Sequence, residues 1–372
     1  MGYMTGFQFA TRISTLRKEI GITQEQVAQY VGVSKAAVSK WETGLSYPDI
    51  TLLPKLATFF NLSIDALLGY EPQMTQENIQ KLYTQLAEKF SIQTFTEVQQ
   101  EIENYVKEYY SCFPLLLELA LLYLNYHKQA EHPEEVLNRV VELCERVRHH
   151  TQEYKYVHKA EIVEATAFLM LNEAEKVLEL LGDHIQVEFG TENIIATAQT
   201  MMNRPDKARE TLQISMYQHL FGLISSATDS LMLEVENIEH FDETIKRMEL
   251  LIKEFHVEKL NVNAALVFYI KAAYCNMMQQ RHEEAMKMLQ LYGRLVNSLT
   301  FPIHLKGDAY FDLLENWMRK EMALGDFSPR DVASIKKDIL ANVTDHPILA
   351  PLQERQDYKA LILNLKHHLN LT

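Results

Sequence analysis

The chain has 372 residues, of which 47% are hydrophobic and 23% charged, a balance that excludes a disordered polymer and allows two or more domains. Its net charge of −14 is uneven: residues 1–70 hold six Lys/Arg against five Asp/Glu, so the remainder carries the whole negative excess. No apolar run approaches the roughly 18 residues of a membrane span and no basic-then-apolar leader opens the chain, so a cytoplasmic protein with no membrane partner is expected.

Sparse Gly and Pro and the lack of alternating strand patterns predict an all-α chain. Phe9, Ile13, Leu16 and Ile20 recur at helical spacing and predict a first helix from near Phe7 to Ile20, stopped by Gly21. Thr23 and Gln26 form a T-x-x-Q capping box that opens a second helix, with Val27, Ala28 and Val31 facing inward. Gly32 permits a tight turn, Ser34 caps a third helix, and Val38 and Trp41 face inward before Gly44 ends it. Asp49 and Ser63 cap two further helices, which makes five in residues 1–70. Gly69, Pro72 and Thr75 then mark a boundary, with a linker over 71–78 and a second domain over 79–372.

Beyond the linker, Thr94 with Glu97, "HPEE" at 132–135 and "SPRD" at 328–331 read as helix starts, because Pro or an acid there suits unpaired amides and the helix dipole. Three stretches share a pattern: a small residue (Ala165, Ala196, Ala272) precedes a large apolar one (Leu171, Met202, Met278), then Val177, Ala208 or Ala285, then Leu181, Leu212 or Leu289. The first two lie about one 34-residue repeat apart and the third about two further on. Stacked helix pairs need small residues where helices approach, so the body is either a degenerate tetratricopeptide-like α-superhelix or an irregular helical bundle.

Two helices joined by a Gly-containing turn, with short polar residues opening the second, describe a helix-turn-helix, whose second helix enters the major groove. Here "LRKEIGITQEQVAQYVGVSKAAVSKWETGLSYPDITLLPKLATFFNLSIDALL" resembles the Xre/Cro phage-repressor family over residues 7–69. The resemblance implies a five-helix, lambda-repressor-like DNA-binding domain at 1–70 and a pseudo-palindromic double-stranded operator. It assigns Gln24 to a phosphate, Ser34 to the DNA backbone, and Lys35, Ala36, Ser39 and Lys40 to the base-facing side of the recognition helix. Lys35 and Lys40 suit either bases or phosphates, since an ammonium is a point charge. Arg17 and Glu42 match a family pair that ties the first helix to the end of the third. Thr43, Gly44 and Tyr47 are placed to offer backbone amides and a hydroxyl to phosphate, and Trp41 is either core or a stacking platform.

One such head makes few phosphate contacts, so a homodimer is expected, with the body supplying the two-fold contact. A head of this kind on a long helical-repeat body is similar to Gram-positive quorum-sensing regulators, whose body holds a short signalling peptide. An asparagine offers a peptide backbone both a donor and an acceptor. Candidate groove residues are Asn193, Thr197 and Thr200 on one helix, Tyr269 with Asn276 on another, and Tyr310 with Trp317 on a third; each also suits a polar outer face or the core. The alternative for the body is a scaffold for another protein, with no peptide ligand. No Walker loop, dinucleotide-binding glycines, nucleophile elbow or H-E-x-x-H occurs, so no enzyme and no cofactor are expected. Cys112, Cys144 and Cys275 lie far apart without metal-ligand spacing and read as buried thiols, and His149, His150, His367 and His368 as solvated helix ends.

Overall fold

The computed structural model describes residues 9–70, 73–185, 187, 190–322, 324 and 328–371. About 75% of the chain is helical, and no β-strand element occurs among the described residues. The chain divides into two compact units: residues 1–75 with 109–112, and residues 76–108 with 113–372.

The first unit holds α1 (Phe9–Glu19), α2 (Gln24–Val31), α3 (Lys35–Glu42), α4 (Leu53–Phe60) and α5 (Ile64–Leu68). The capping box forms as read: the Gln26 amide donates to the Thr23 hydroxyl, and the Thr23 amide donates to the Gln26 side chain at 2.8 Å. Gly32 takes the left-handed conformation (φ 87°) that ends α2, and its N–H reaches the Ala28 carbonyl. Ser34 accepts the Ala37 amide and starts α3 one turn later. Phe9, Ile13, Val27, Ala28, Val31, Val38, Trp41, Leu56, Ala57 and Leu67 close over one core, so Trp41 is a packing residue. Ile20 departs from the expected pattern: α1 ends at Glu19 and Ile20 lies 55% exposed beyond it. Phe7, where the first helix was expected to begin, lies outside the described residues.

The second unit runs α6 (Gln76–Lys89), α7 (Phe95–Glu108), α8 (Phe113–Tyr126), α9 (Pro133–His150), α10 (Tyr154–Met170), α11 (Ala174–Leu181), α12 (Thr191–Met201) and α13 (Pro205–Leu233). It continues with α14 (Ile238–Glu254), α15 (Val257–Leu260), α16 (Val262–Met278), α17 (His282–Ser298), α18 (Leu314–Glu321), α19 (Val332–Thr344) and α20 (Gln356–Leu369). The expected linker is helical from Gln76 onward, and its residues 71 and 72 lie outside the described residues. All three start signals open helices: Thr94 and Glu97 bond reciprocally before α7, Pro133 with Glu134 and Glu135 begins α9 without a side-chain cap, and Asp331 accepts the Ser334 amide before α19.

Consecutive helices pack as pairs, among them α9 with α10, α12 with α13 and α16 with α17. The leucine-rich α8 packs against α6, α9 and α10 and is buried nearly all round. Its Glu118 pairs with Lys159, and Glu164 on α10 accepts two bonds from Arg148 at 2.7 and 3.0 Å. Burial holds both carboxyls above the usual range despite these cations. Cys112, Cys144 and Cys275 are free and buried.

The three repeat copies meet different surroundings. Ala165, Ala196 and Ala272 are all buried where helices approach. In the third copy Ala285 and Leu289 are also buried, because α16 rests on α13 and α17 on α20. In the first two copies Leu181 and Leu212 stay exposed, α11 buries no residue at all, and α12 buries only Ala196. The result is a row of exposed apolar side chains that includes Leu178, Leu181, Ile194, Ile195 and Met201.

One backbone approach makes a sharp prediction. A Cβ on Gly307 would stand 2.1 Å from the Phe311 carbonyl oxygen. Gly307→Ala must therefore move the backbone between them, at a cost of about 1–3 kcal/mol typical of overpacking. A lowered urea midpoint checks this, and a wild-type midpoint would contradict it.

Candidate functional site

The recognition helix α3 is held from behind by a charged clamp. Arg17 grips Glu42 with two parallel bonds, Nε to Oε1 at 2.5 Å and Nη2 to Oε2 at 2.9 Å, and its Nη1 donates to the Ile22 carbonyl at 2.8 Å. Gln24 adds a third bond to the same carboxylate, Nε2 to Oε2 at 2.9 Å. Burial alone would raise the Glu42 pKa, but the bonds from Arg17 and Gln24 outweigh it and hold the carboxyl below the usual range. One clamp thus joins α1, the first residue of α2 and the last residue of α3.

With that end fixed, α3 turns Lys35, Ala36 and Lys40 to solvent while Val38 and Trp41 are buried; Ser39 is half-buried between them. Gln24 is therefore first a clamp residue, and its second amide hydrogen is what it has left for a phosphate. Ser34 is spent on the cap through its oxygen, which leaves its hydroxyl hydrogen for the DNA backbone. The Thr43 and Gly44 amides, expected to face phosphate, donate within the chain. The Thr43 amide donates to Ser39, its hydroxyl to the Ser39 and Lys40 carbonyls, and the Gly44 amide to Trp41, because the end of α3 satisfies its own carbonyls there. Tyr47 is exposed with its ring leaning on Phe9 at 6.2 Å.

The seven residues read as a groove in the body are not brought together as one. Asn193, Thr197 and Thr200 are exposed on α12, and both hydroxyls donate to carbonyls of their own helix, Thr197 to Asn193 and Thr200 to Ala196. Tyr269 and Asn276 lie in the core, because α16 is apolar on nearly every side and packs between α13 and α17. Asn276 Nδ2 donates to Ala272, and its Oδ1 has no partner. Tyr310 leans on Phe311 and reaches Met216 on α13, while Trp317 packs edge-on against Tyr217.

A cavity of about 1080 Å³ lies elsewhere in the second unit, at the upper end of ligand clefts in size. Its walls come from the end of α8 and the turn after it (Asn125 to Gln129), the start of α16 (Asn261, Asn263), Tyr274, the stretch Ser328–Arg330, α19, and His346 after it. Asn261 and Asn263 make no side-chain bond within the chain, while Asn125 donates to Tyr83 and Leu121 and keeps its carbonyl oxygen open. His346 Nδ1 accepts the Ile348 amide, so the neutral ring carries its proton on Nε2; the ring stacks on Tyr274 at 4.0 Å. His127 has the opposite tautomer, since its Nδ1 faces the Leu124 carbonyl at 2.8 Å. Asn-rich walls were missed in the sequence because these residues sit at helix ends, where Asn ordinarily reads as a cap or turn.

A family model described as Helix-turn-helix matches residues 13–67. The HTH-type transcriptional activator BcrR of Enterococcus faecalis is 37% identical over 82 residues, 20% of this chain and 40% of that protein, so the chain spans well under half of BcrR's length. The cryptic phage CTXphi transcriptional repressor RstR of Vibrio cholerae is 35% identical over 97 residues, 26% of this chain and 81% of that protein. Among solved structures, Bacillus thuringiensis PlcR in complex with the peptide PapR7 and DNA aligns over 78% of this chain and 96% of that one, at 14% identity and a TM-score of 0.28. A likeness of that degree assigns no residue of the body a role.

Proposed function

Because the chain belongs to the helix-turn-helix family of transcriptional regulators, we propose that it binds a pseudo-palindromic operator as a homodimer and that its body, a tetratricopeptide-like array, senses a short peptide. The observation that carries the DNA reading is the clamped α3, which offers Lys35, Ala36 and Lys40 to solvent on a rigid support. One alanine methyl beside two lysines gives few contacts, so two heads about 34 Å apart supply the affinity that one lacks. The exposed apolar row on α11 and α12 is the surface that a second copy would cover.

The peptide reading rests on the cavity. Its asparagine amides are donors and acceptors suited to an extended backbone whatever its sequence, and its volume exceeds what most small molecules fill. A peptide that prefers one arrangement of the body would change the spacing of the heads, and a coupling of about 1–3 kcal/mol alters operator affinity about 5- to 150-fold. Native mass spectrometry of the chain purified from its own host tests the whole reading: a dimer carrying a peptide-sized adduct is expected. A monomer without adduct that binds DNA at full affinity would overturn it, and a co-purifying protein in place of the peptide would turn the body into a scaffold.

A further inference from the structure

The cavity differs in charge from the unit that contains it. The chain carries −14 overall, all of the negative excess outside the head, yet the cavity wall carries Lys128, Arg330 and Lys337 against Asp338 and Asp345. Arg330 and Asp338 neutralise one another through a direct ion pair. Among the described residues Lys128 and Lys337 form no ion pair; both are exposed, Lys337 also borders a smaller cavity, and they come from distant stretches of the chain, the turn after α8 and the middle of α19. The Arg330 guanidinium also lies over the Tyr126 ring at 5.6 Å, so it is engaged within the wall. His346, with its proton on Nε2, adds a neutral donor to the same wall.

An acidic body normally repels an anion, yet Lys128 and Lys337 both line this one cavity. The geometry points to a ligand that is itself anionic: a peptide whose C-terminal carboxylate or acidic side chain lies between Lys128 and Lys337. This rests on the peptide reading above and adds the charge class of the ligand. A carboxylate there gains charge-assisted bonds from the lysines, whereas a cationic peptide meets both of them at once. Asp345 is the remaining acid on the wall, and it works against the effect with one charge against two.

The test is affinity selection on the full chain with two synthetic heptapeptide pools. One has free C-terminal carboxylates and one fixed Asp; the other is amidated and free of acids. The wild type is expected to retain the acidic pool at least about tenfold over the neutral one, the gain of a single charge-assisted contact. Lys128→Gln with Lys337→Gln should lose that preference, and Lys128→Arg with Lys337→Arg should keep it. Both positions are exposed, so the variants should fold, which far-UV circular dichroism checks. Retention of both pools alike, or a preference that survives the double Gln variant, would overturn the charge assignment while leaving the peptide reading intact. Retention of neither pool would overturn both.

Discussion

Arg17→Ala is expected to destabilise the head by about 3 kcal/mol, the low end of the loss seen when one partner of a buried ion pair is removed. Both side chains are well covered, Arg17 at 14% exposure and Glu42 at 6%. Removing the guanidinium leaves the Glu42 carboxylate with one bond, from Gln24, and only the weaker through-space attraction of Lys18, and it also frees the Ile22 carbonyl. Arg17→Lys keeps the charge but loses the two-pronged fork, so it should fall between wild type and Ala. The chain has two tryptophans, so urea titration of Trp41 fluorescence in a Trp317→Phe background reports the head alone. An unchanged midpoint would show that the pair behaves as an exposed one, worth about 0–1 kcal/mol. The pH dependence has a definite sign. The Glu42 pKa is depressed by folding, so its contribution is present above the usual glutamate range and is lost as pH falls through the lower, folded value. Arg17→Ala should flatten that acid limb.

The head was legible in the sequence almost residue by residue, because its information is local. A capping box, a turn glycine and apolar residues at helical spacing fix where Thr23, Gly32 and Ser34 stand before any long-range contact forms. The end of α3 was less legible: whether the Thr43 and Gly44 amides face DNA or their own helix depends on how the last turn closes, which no residue type announces. The body was legible as helices and pairs, but not as a site. The stripe of Tyr269, Ala273 and Asn276 looks like a polar groove on a helical wheel, and α16 is buried on that side because other helices cover it. Conversely, Leu181 on α11 and Leu212 on α13 look like core and remain exposed, since among the described residues α11 packs mainly on α10 and α12 mainly on α13. Burial in stacked helices is decided by the next pair in the stack. The cavity gathers Lys128, Asn261 and Lys337 from stretches with no shared local pattern, so it could be seen only in three dimensions.

Lys35→Ala combined with Lys40→Ala is expected to abolish operator binding at physiological salt and to reveal what each lysine does. Two phosphate contacts contribute about −1.8 per head to the slope of log affinity against log salt, so a flatter slope and uniform weakening across sequences mark phosphate contacts. A lysine that reads guanine instead costs about 1–3 kcal/mol at one base pair and relaxes specificity there, with little change for other sequences. Fluorescence anisotropy of the single variants at several salt concentrations separates the two, and unchanged affinity in both would remove α3 from the interface. The arrangement of α3 makes the loss steep. Ala36 offers only a methyl to the groove and Ser39 is half-buried, so the lysines have no long neighbour to share their role. With so few contacts per head, the proposed dimer makes a second head at the correct spacing the expected source of the remaining affinity. In the proposed dimer, control over that spacing then changes occupancy without any change in the recognition helix itself.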